Sequence, residues 1–172
     1  MGKILIFFIL LFQIFYSYCH IDFVQIESCS SSNITLSFEE CEIKNNKVNV
    51  AVLFWRPVTK IFVKVKLFKE VNSEFREIFK VPRFEWCSVL DGTSKTNSFV
   101  RSFLNSFKDR YPKAVRKCPL TGRSEMMNVT IEKKLTMMFP SGLYRFTMKS
   151  SDDLDQRGAF FSILTKIESD YA

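Results

Sequence analysis

The chain has 172 residues, of which 47% are hydrophobic and 15% aromatic, with five Gly, five Pro and a formal net charge of +7. This composition excludes disorder, collagen-like repeats and low-complexity scaffolds, and the length suits one domain. The single His, His20, leaves no material for His triads or His-based metal cages.

Residues 1–19, MGKILIFFILLFQIFYSYC, carry one positive charge (Lys3) and an unbroken apolar run from Ile4 to Phe12. Ser17 and Cys19 then sit at the −3 and −1 positions of a small-residue cleavage site. That is the pattern of a secretory signal peptide. The run falls short of the ~20 apolar residues needed to span a bilayer, and no basic stop-transfer cluster follows. The expected organisation is a signal peptide at 1–19 and one domain at 20–172, secreted and extracellular. Losing the leader removes Lys3 and no acid, taking the charge from +7 to +6 and leaving 153 residues. A domain of that size buries roughly 68–70% of the surface its unfolded chain exposes.

From there the dominant signal is alternation with period two, the mark of half-buried strands. A weak strand at 22–27 comes first. At 33–38, Ile34, Leu36 and Phe38 alternate with Asn33, Thr35 and Ser37. At 48–54, Val48, Val50, Val52 and Phe54 share a face. At 60–68, Ile61, Val63, Val65 and Leu67 oppose Lys60, Phe62, Lys64, Lys66 and Phe68. Weaker strands are expected at 75–81 and 83–90. At 126–132, Met127, Val129 and Ile131 oppose Asn128, Thr130 and Glu132. At 143–149, Tyr144, Phe146 and Met148 oppose Arg145, Thr147 and Lys149. A last strand runs through 159–167, with Phe161, Ile163 and Ile167 on one face. Turns are signalled at Asn45-Asn46, Asn72-Ser73, Pro140-Ser141-Gly142 and Asp152–Gly158. Eight or nine short strands so spaced favour an antiparallel sandwich over an α/β fold.

One segment breaks the rhythm. Phe99, Val100, Phe103, Leu104, Phe107 and Tyr111 follow helical spacing, so an amphipathic helix is expected over 96–111. Its aromatic stripe either packs on one sheet or forms a lid over a cavity mouth.

With Cys19 gone, Cys29, Cys41, Cys87 and Cys118 remain. An even count in an exported chain reads as two disulfides, with three pairings open. The pairing preferred here is Cys29–Cys41 with Cys87–Cys118, each closing a local excursion. A zinc site is disfavoured by the lack of any C-x-x-C pair. Two glycosylation sequons begin at Asn33 and Asn128, both on polar strand faces.

Catalytic signals are poor. The sequence has no G-x-S-x-G elbow, phosphate-binding loop or H-E-x-x-H pair. Asp153-x-Asp155 before Gly158 fails as a calcium loop, because Arg157 and Leu164 stand at ligand positions. No catalytic residue, metal or cofactor is assigned and no enzyme is expected; an unforeseen carboxylate pair, for example involving Asp91 or Glu85, is the arrangement that would change this. The basic residues are spread along strands, which suits an anionic membrane surface better than nucleic acid. Fifteen Phe remain once Phe7, Phe8, Phe12 and Phe15 leave with the signal. Each large ring buries ~150–250 Å², so they either crowd a filled core or line a hollow between parted sheets.

The order of several short segments resembles the insect secreted family called domain of unknown function 1091, some of whose members are proposed to act in contact chemosensation. The segments are Cys29 in an early strand, Cys41-Glu42-Ile43-Lys44-Asn45, Trp86-Cys87, Cys118-Pro119 and Pro140-Ser141-Gly142-Leu143-Tyr144. The sequence departs from that pattern at Arg116-Lys117, where a polar, Asn-containing run is usual. The family is similar to the ML lipid-recognition domains, which include ganglioside-activator-like proteins. The resemblance implies an all-β, immunoglobulin-like two-sheet antiparallel sandwich with an apolar cavity between the sheets. It carries over no catalytic residues.

The function expected on this reading is a secreted binding protein for a lipid or other hydrophobic small molecule, in chemosensation or lipid transfer. Phe54, Val65, Tyr144, Phe146 and Phe161 would line the cavity, and Phe99, Phe103 and Phe107 would gate it. Further partners are a membrane receptor or channel and transient contact with an anionic membrane surface; nucleic acid is not among them. The alternative is an extracellular protein-binding module with a filled core.

Overall fold

Two pairs of adjacent polar residues set the first hairpins. Asn45 and Asn46 have φ of 51° and 55°, and Asn72 and Ser73 have φ of 54° and 66°. Left-handed backbone at both central positions is what a two-residue hairpin needs to match strand twist. Lys44 therefore faces Lys47, and Val71 faces Glu74, across tight turns.

The computed structural model describes residues 19–31, 35–93, 107–130, 139–151 and 157–169. Eight strands are β1 (Cys19–Ser31), β2 (Leu36–Lys44), β3 (Lys47–Val58), β4 (Phe62–Val71), β5 (Glu74–Glu85), β6 (Leu120–Val129), β7 (Gly142–Ser151) and β8 (Arg157–Ser169). A short helix, α1 (Trp86–Leu90), follows β5. A five-stranded sheet has the order β1-β8-β7-β4-β5 and a three-stranded sheet the order β2-β3-β6. Every pairing is antiparallel. The protein is thus an all-β, two-sheet antiparallel sandwich, as the alternation predicts.

Several boundaries differ from the sequence reading. The expected strands at 75–81 and 83–90 fuse into β5, and the second ends early because Glu85 caps α1. Its carboxylate accepts hydrogen bonds from the backbone N–H of Cys87 (2.8 Å) and Ser88 (2.6 Å), satisfying donors the first turn leaves open. The helix closes with Gly92, φ 73°, whose N–H reaches the Val89 carbonyl while that of Thr93 reaches Ser88. This is the paired bonding of a Schellman ending, which glycine accommodates. β2 runs on to Lys44 and β6 starts at Leu120, six residues before the alternation signals it. Of the helix expected at 96–111, residues 107–110 are helical; Phe99 and Phe103 lie outside the described residues, as does Asn33.

Both preferred bridges are present. Cys29 joins Cys41 with Cα atoms 6.4 Å apart, and Cys87 joins Cys118 at 5.7 Å. The first ties β1 to β2. Toward the start of β1, the Asn46 side chain accepts from Phe23 N–H (2.7 Å) and donates to the Ile21 carbonyl (2.7 Å). The two sheets are therefore stitched together along their β1–β2 edge. At the opposite side β5 is the outer strand of the large sheet. It carries two irregularities in its register with β4, together with Lys80 and Pro82, the devices by which natural edges avoid pairing with other chains.

Candidate functional site

The inner face of the large sheet follows from its register. Val65 stands opposite Met148 and Val81; Leu67 stands opposite Phe146 and Phe79; Phe146 and Met148 face Ile163 and Phe161 on β8. Directly opposed residues in an antiparallel ladder share a face, so these form one apolar strip across β8, β7, β4 and β5.

Burial is uneven along that strip. On β8, Phe161 and Ile163 are buried against Val48 and Val50 of β3, with Phe146 and Met148 of β7 packed partly on the same cluster, and Ile167 is buried beside Tyr144. On β7 and β4, Phe146, Met148, Val65 and Leu67 are only half-buried. On β5, Val81 is half-buried and Phe79 is 43% exposed. The small sheet thus covers the inner face where the edge is stitched, and an accessible apolar strip remains toward β5. From β7 to β5 it is about 10 Å wide, and from Phe146 to Met148 about 7 Å long, by standard strand spacings.

The predicted lining residues do not form one group. Phe146 and Phe161 meet edge to face, centroids 6.4 Å apart, and Val65 lies on the same strip. Phe54 belongs to a separate cluster at one end of the sandwich, with Leu36, Ile61, Cys87 and Leu120. Tyr144 is 2% exposed in a third cluster with Ile167, Leu67 and Phe139. Its hydroxyl donates to the Pro140 carbonyl, and burial raises its pKa above 10.0. Phe107 is half-buried and its ring packs at a tilt against Tyr111, centroids 4.6 Å apart. Leu67, Met148, Val81 and Phe79 complete the strip but are absent from the sequence-based set. Leu67 and Met148 were legible from their alternation. Phe79 was not, because Ile78 interrupts the register beside it.

The outer face of the same sheet is polar and braced. Glu27 accepts from Arg145 Nε (2.7 Å) and Nη2 (2.6 Å) and from Ser162 Oγ (2.6 Å). The Arg145 guanidinium lies 3.8 Å from the Phe75 ring centroid. Burial alone would raise the Glu27 pKa, but the hydrogen bonds from Arg145 and Ser162 and the guanidinium charge outweigh it, so it lies below 4.5. Asn128, the described sequon asparagine, is exposed, and its backbone N–H is bonded by Asn49.

A pocket of about 260 Å³ lies elsewhere, lined by Lys113, Arg116, Arg123 and Glu125. Its charges already serve one another. Arg116 donates to the Thr121 and Arg123 carbonyls, and Glu125 pairs with Lys113 and Arg123.

The fold aligns with a Niemann-Pick type C2 protein from the Japanese carpenter ant at 14% identity and a TM-score of 0.35, over 86% of this chain and 98% of that one. It also aligns with chicken MD-1, solved in complex with lipid IVa, at 14% identity and a TM-score of 0.34, over 90% and 100%. Likeness at this level does not separate one β-sandwich family from another. No family model matches the chain, and no curated protein does.

Proposed function

We propose that the protein binds a lipid or other hydrophobic small molecule between its two sheets, on the strip formed by Phe146, Met148, Val65, Leu67, Val81 and Phe79. The observation that carries this reading is the fall in burial from β8 to β5 along an otherwise apolar inner face. It leaves apolar surface beside the small sheet that a hydrocarbon chain can cover. Covering the strip with a hydrocarbon chain removes about 70 Å² from each partner, about 3.5 kcal/mol at ~25 cal/mol per Å² before the costs of association. One wall is therefore too little for tight retention, and the small sheet has to supply the second.

The signal-peptide pattern at 1–19, two disulfides and an exposed sequon at Asn128 support export to an oxidising compartment. Chemosensation or lipid transfer, and a membrane receptor or channel as partner, extend this proposal. The segment containing Phe99 and Phe103 takes the role of a gate in it.

Filling the strip tests the reading. Val65→Trp adds bulk where Val65 is half-buried. It is expected to abolish uptake of a fluorescent fatty acid while the melting temperature stays within a few degrees of the parent. In a filled core the same change would overpack and cost about 1–3 kcal/mol. Unchanged uptake with a lowered melting temperature would overturn the proposal in favour of a protein-binding module.

A further inference from the structure

The outer face of the large sheet holds a feature that ligand binding on the inner face does not require. Lys64 on β4 stands directly opposite Lys149 on β7, and Lys66 stands directly opposite Lys80 on β5. Like charges placed opposite one another across a ladder destabilise it. Arg83 joins them from the edge strand. Its guanidinium lies 4.1 Å from the Phe62 ring centroid and donates to Ser151 Oγ at 3.3 Å. Lys149 lies over the Phe160 ring at 5.1 Å and Lys66 over Phe68 at 5.6 Å.

Between Phe62 and Phe68 this face therefore carries Lys64, Lys66, Lys80, Lys149 and Arg83. The carboxylate that faces them among the described residues is Glu77, which pairs with Lys66 and lies 4.0 Å from Lys80. The other acids nearby are engaged: Glu85 caps α1, and Glu27 holds Arg145. Glu70 stands farther along, opposite Phe75. Asp152, Asp153 and Asp155 follow Ser151 in sequence and lie outside the described residues. Lys64, Lys80 and Lys149 are exposed. Near Lys80 on β5, the outer strand, Ile78 is 46% exposed.

We infer that this face, the outer side of β7, β4 and β5, docks on the surface of an anionic phospholipid bilayer. A two-dimensional array of cations across three strands matches a plane of headgroup phosphates. The exposed Ile78 at its rim favours a bilayer, into which it can dip, over a purely polar polyanion. Docking this way sets the β5 edge, where the inner apolar strip is most accessible, against the lipid. The surface is distinct from the ligand strip, so it stands or falls separately from the proposed function.

The test is partitioning of the exported protein onto vesicles of phosphatidylcholine and phosphatidylserine in equal parts, against phosphatidylcholine alone. Each basic residue near an anionic surface raises partitioning about fivefold. The triple variant Lys64→Gln, Lys80→Gln, Lys149→Gln is thus expected to bind the mixed vesicles about a hundredfold more weakly, with no loss of melting temperature because opposed charges are relieved. Ile78→Ser is expected to weaken vesicle binding and leave heparin binding unchanged. The control Lys44→Gln, Lys47→Gln, Lys117→Gln makes the same change in net charge at exposed sites off this face and should keep most of the binding. Equal loss in the control, or loss of heparin binding with vesicle binding intact, would overturn the inference. Fatty-acid uptake is expected to be unaltered in the triple variant.

Discussion

Replacing Cys87 and Cys118 together by Ser is expected to cost about 3.7 kcal/mol, against about 2.8 kcal/mol for the Cys29 and Cys41 pair. Both figures follow from the chain entropy released when loops of 31 and 12 residues are opened. For a chain of this size the first corresponds to a fall in melting temperature of about 7–15 °C. The order also has a packing reason. Cys87 is 3% exposed in the cluster with Phe54 and Leu120, whereas Cys29 and Cys41 are half-buried beside an edge that Asn46 also fastens. Thermal unfolding of the two double variants by circular dichroism measures the difference. A larger cost at Cys29 and Cys41 would show that the stitched edge, not the link after β5, carries the sandwich.

Glu27→Gln is the second large effect. The substitution keeps the shape but removes the charge that accepts three hydrogen bonds from Arg145 and Ser162. Bonds to charged groups contribute about 1.5–3 kcal/mol each when made, but Gln retains part of the set, so a net loss of about 2–3 kcal/mol is expected at neutral pH. The pH dependence has a definite sign. The folded-state pKa of Glu27 lies below 4.5, so its contribution is complete above the ordinary carboxylate range. It is lost as pH falls through the lowered folded value. The stability gap between parent and variant should therefore be flat from neutral pH down to about 5 and shrink below that. Urea unfolding at a series of pH values gives the gap; one that widens in acid would contradict this assignment.

What the sequence revealed depended on how local the cause was. The hairpins at Asn45-Asn46 and Asn72-Ser73 were legible because the turn residues themselves tolerate left-handed backbone. The faces of β4 and β7 were legible because their alternation is unbroken: Val63, Val65 and Leu67 are held inward, and Lys64 is exposed. β1 was under-read because register shifts at Phe23/Gln25 and Ile26/Ser28 break its period of two. α1 was missed because 83–90 alternates like a strand. Its helical turn depends on the Glu85 cap and on a disulfide to a residue 31 positions away. The Glu27–Arg145 brace joins residues 118 apart in sequence, and no local pattern announces it. Thr147 and Ser162 stand opposite each other on this braced outer face and are buried there, whereas alternation alone assigns Thr147 to a solvated face.

The candidate site divided along the same line. Val65 and Phe146 were recoverable from alternation, whereas the accessibility of the strip depends on how far the three-stranded sheet reaches across the five-stranded one. Strand number and order fix that reach, and both arise from long-range pairing.

Native mass spectrometry of the protein, before and after mild solvent extraction, decides whether an apolar molecule is held. A bound apolar species is expected, which extraction removes and a fatty acid restores at one molecule per chain. A mass equal to that of the polypeptide alone, unchanged after exposure to lipid, would contradict the proposed binding.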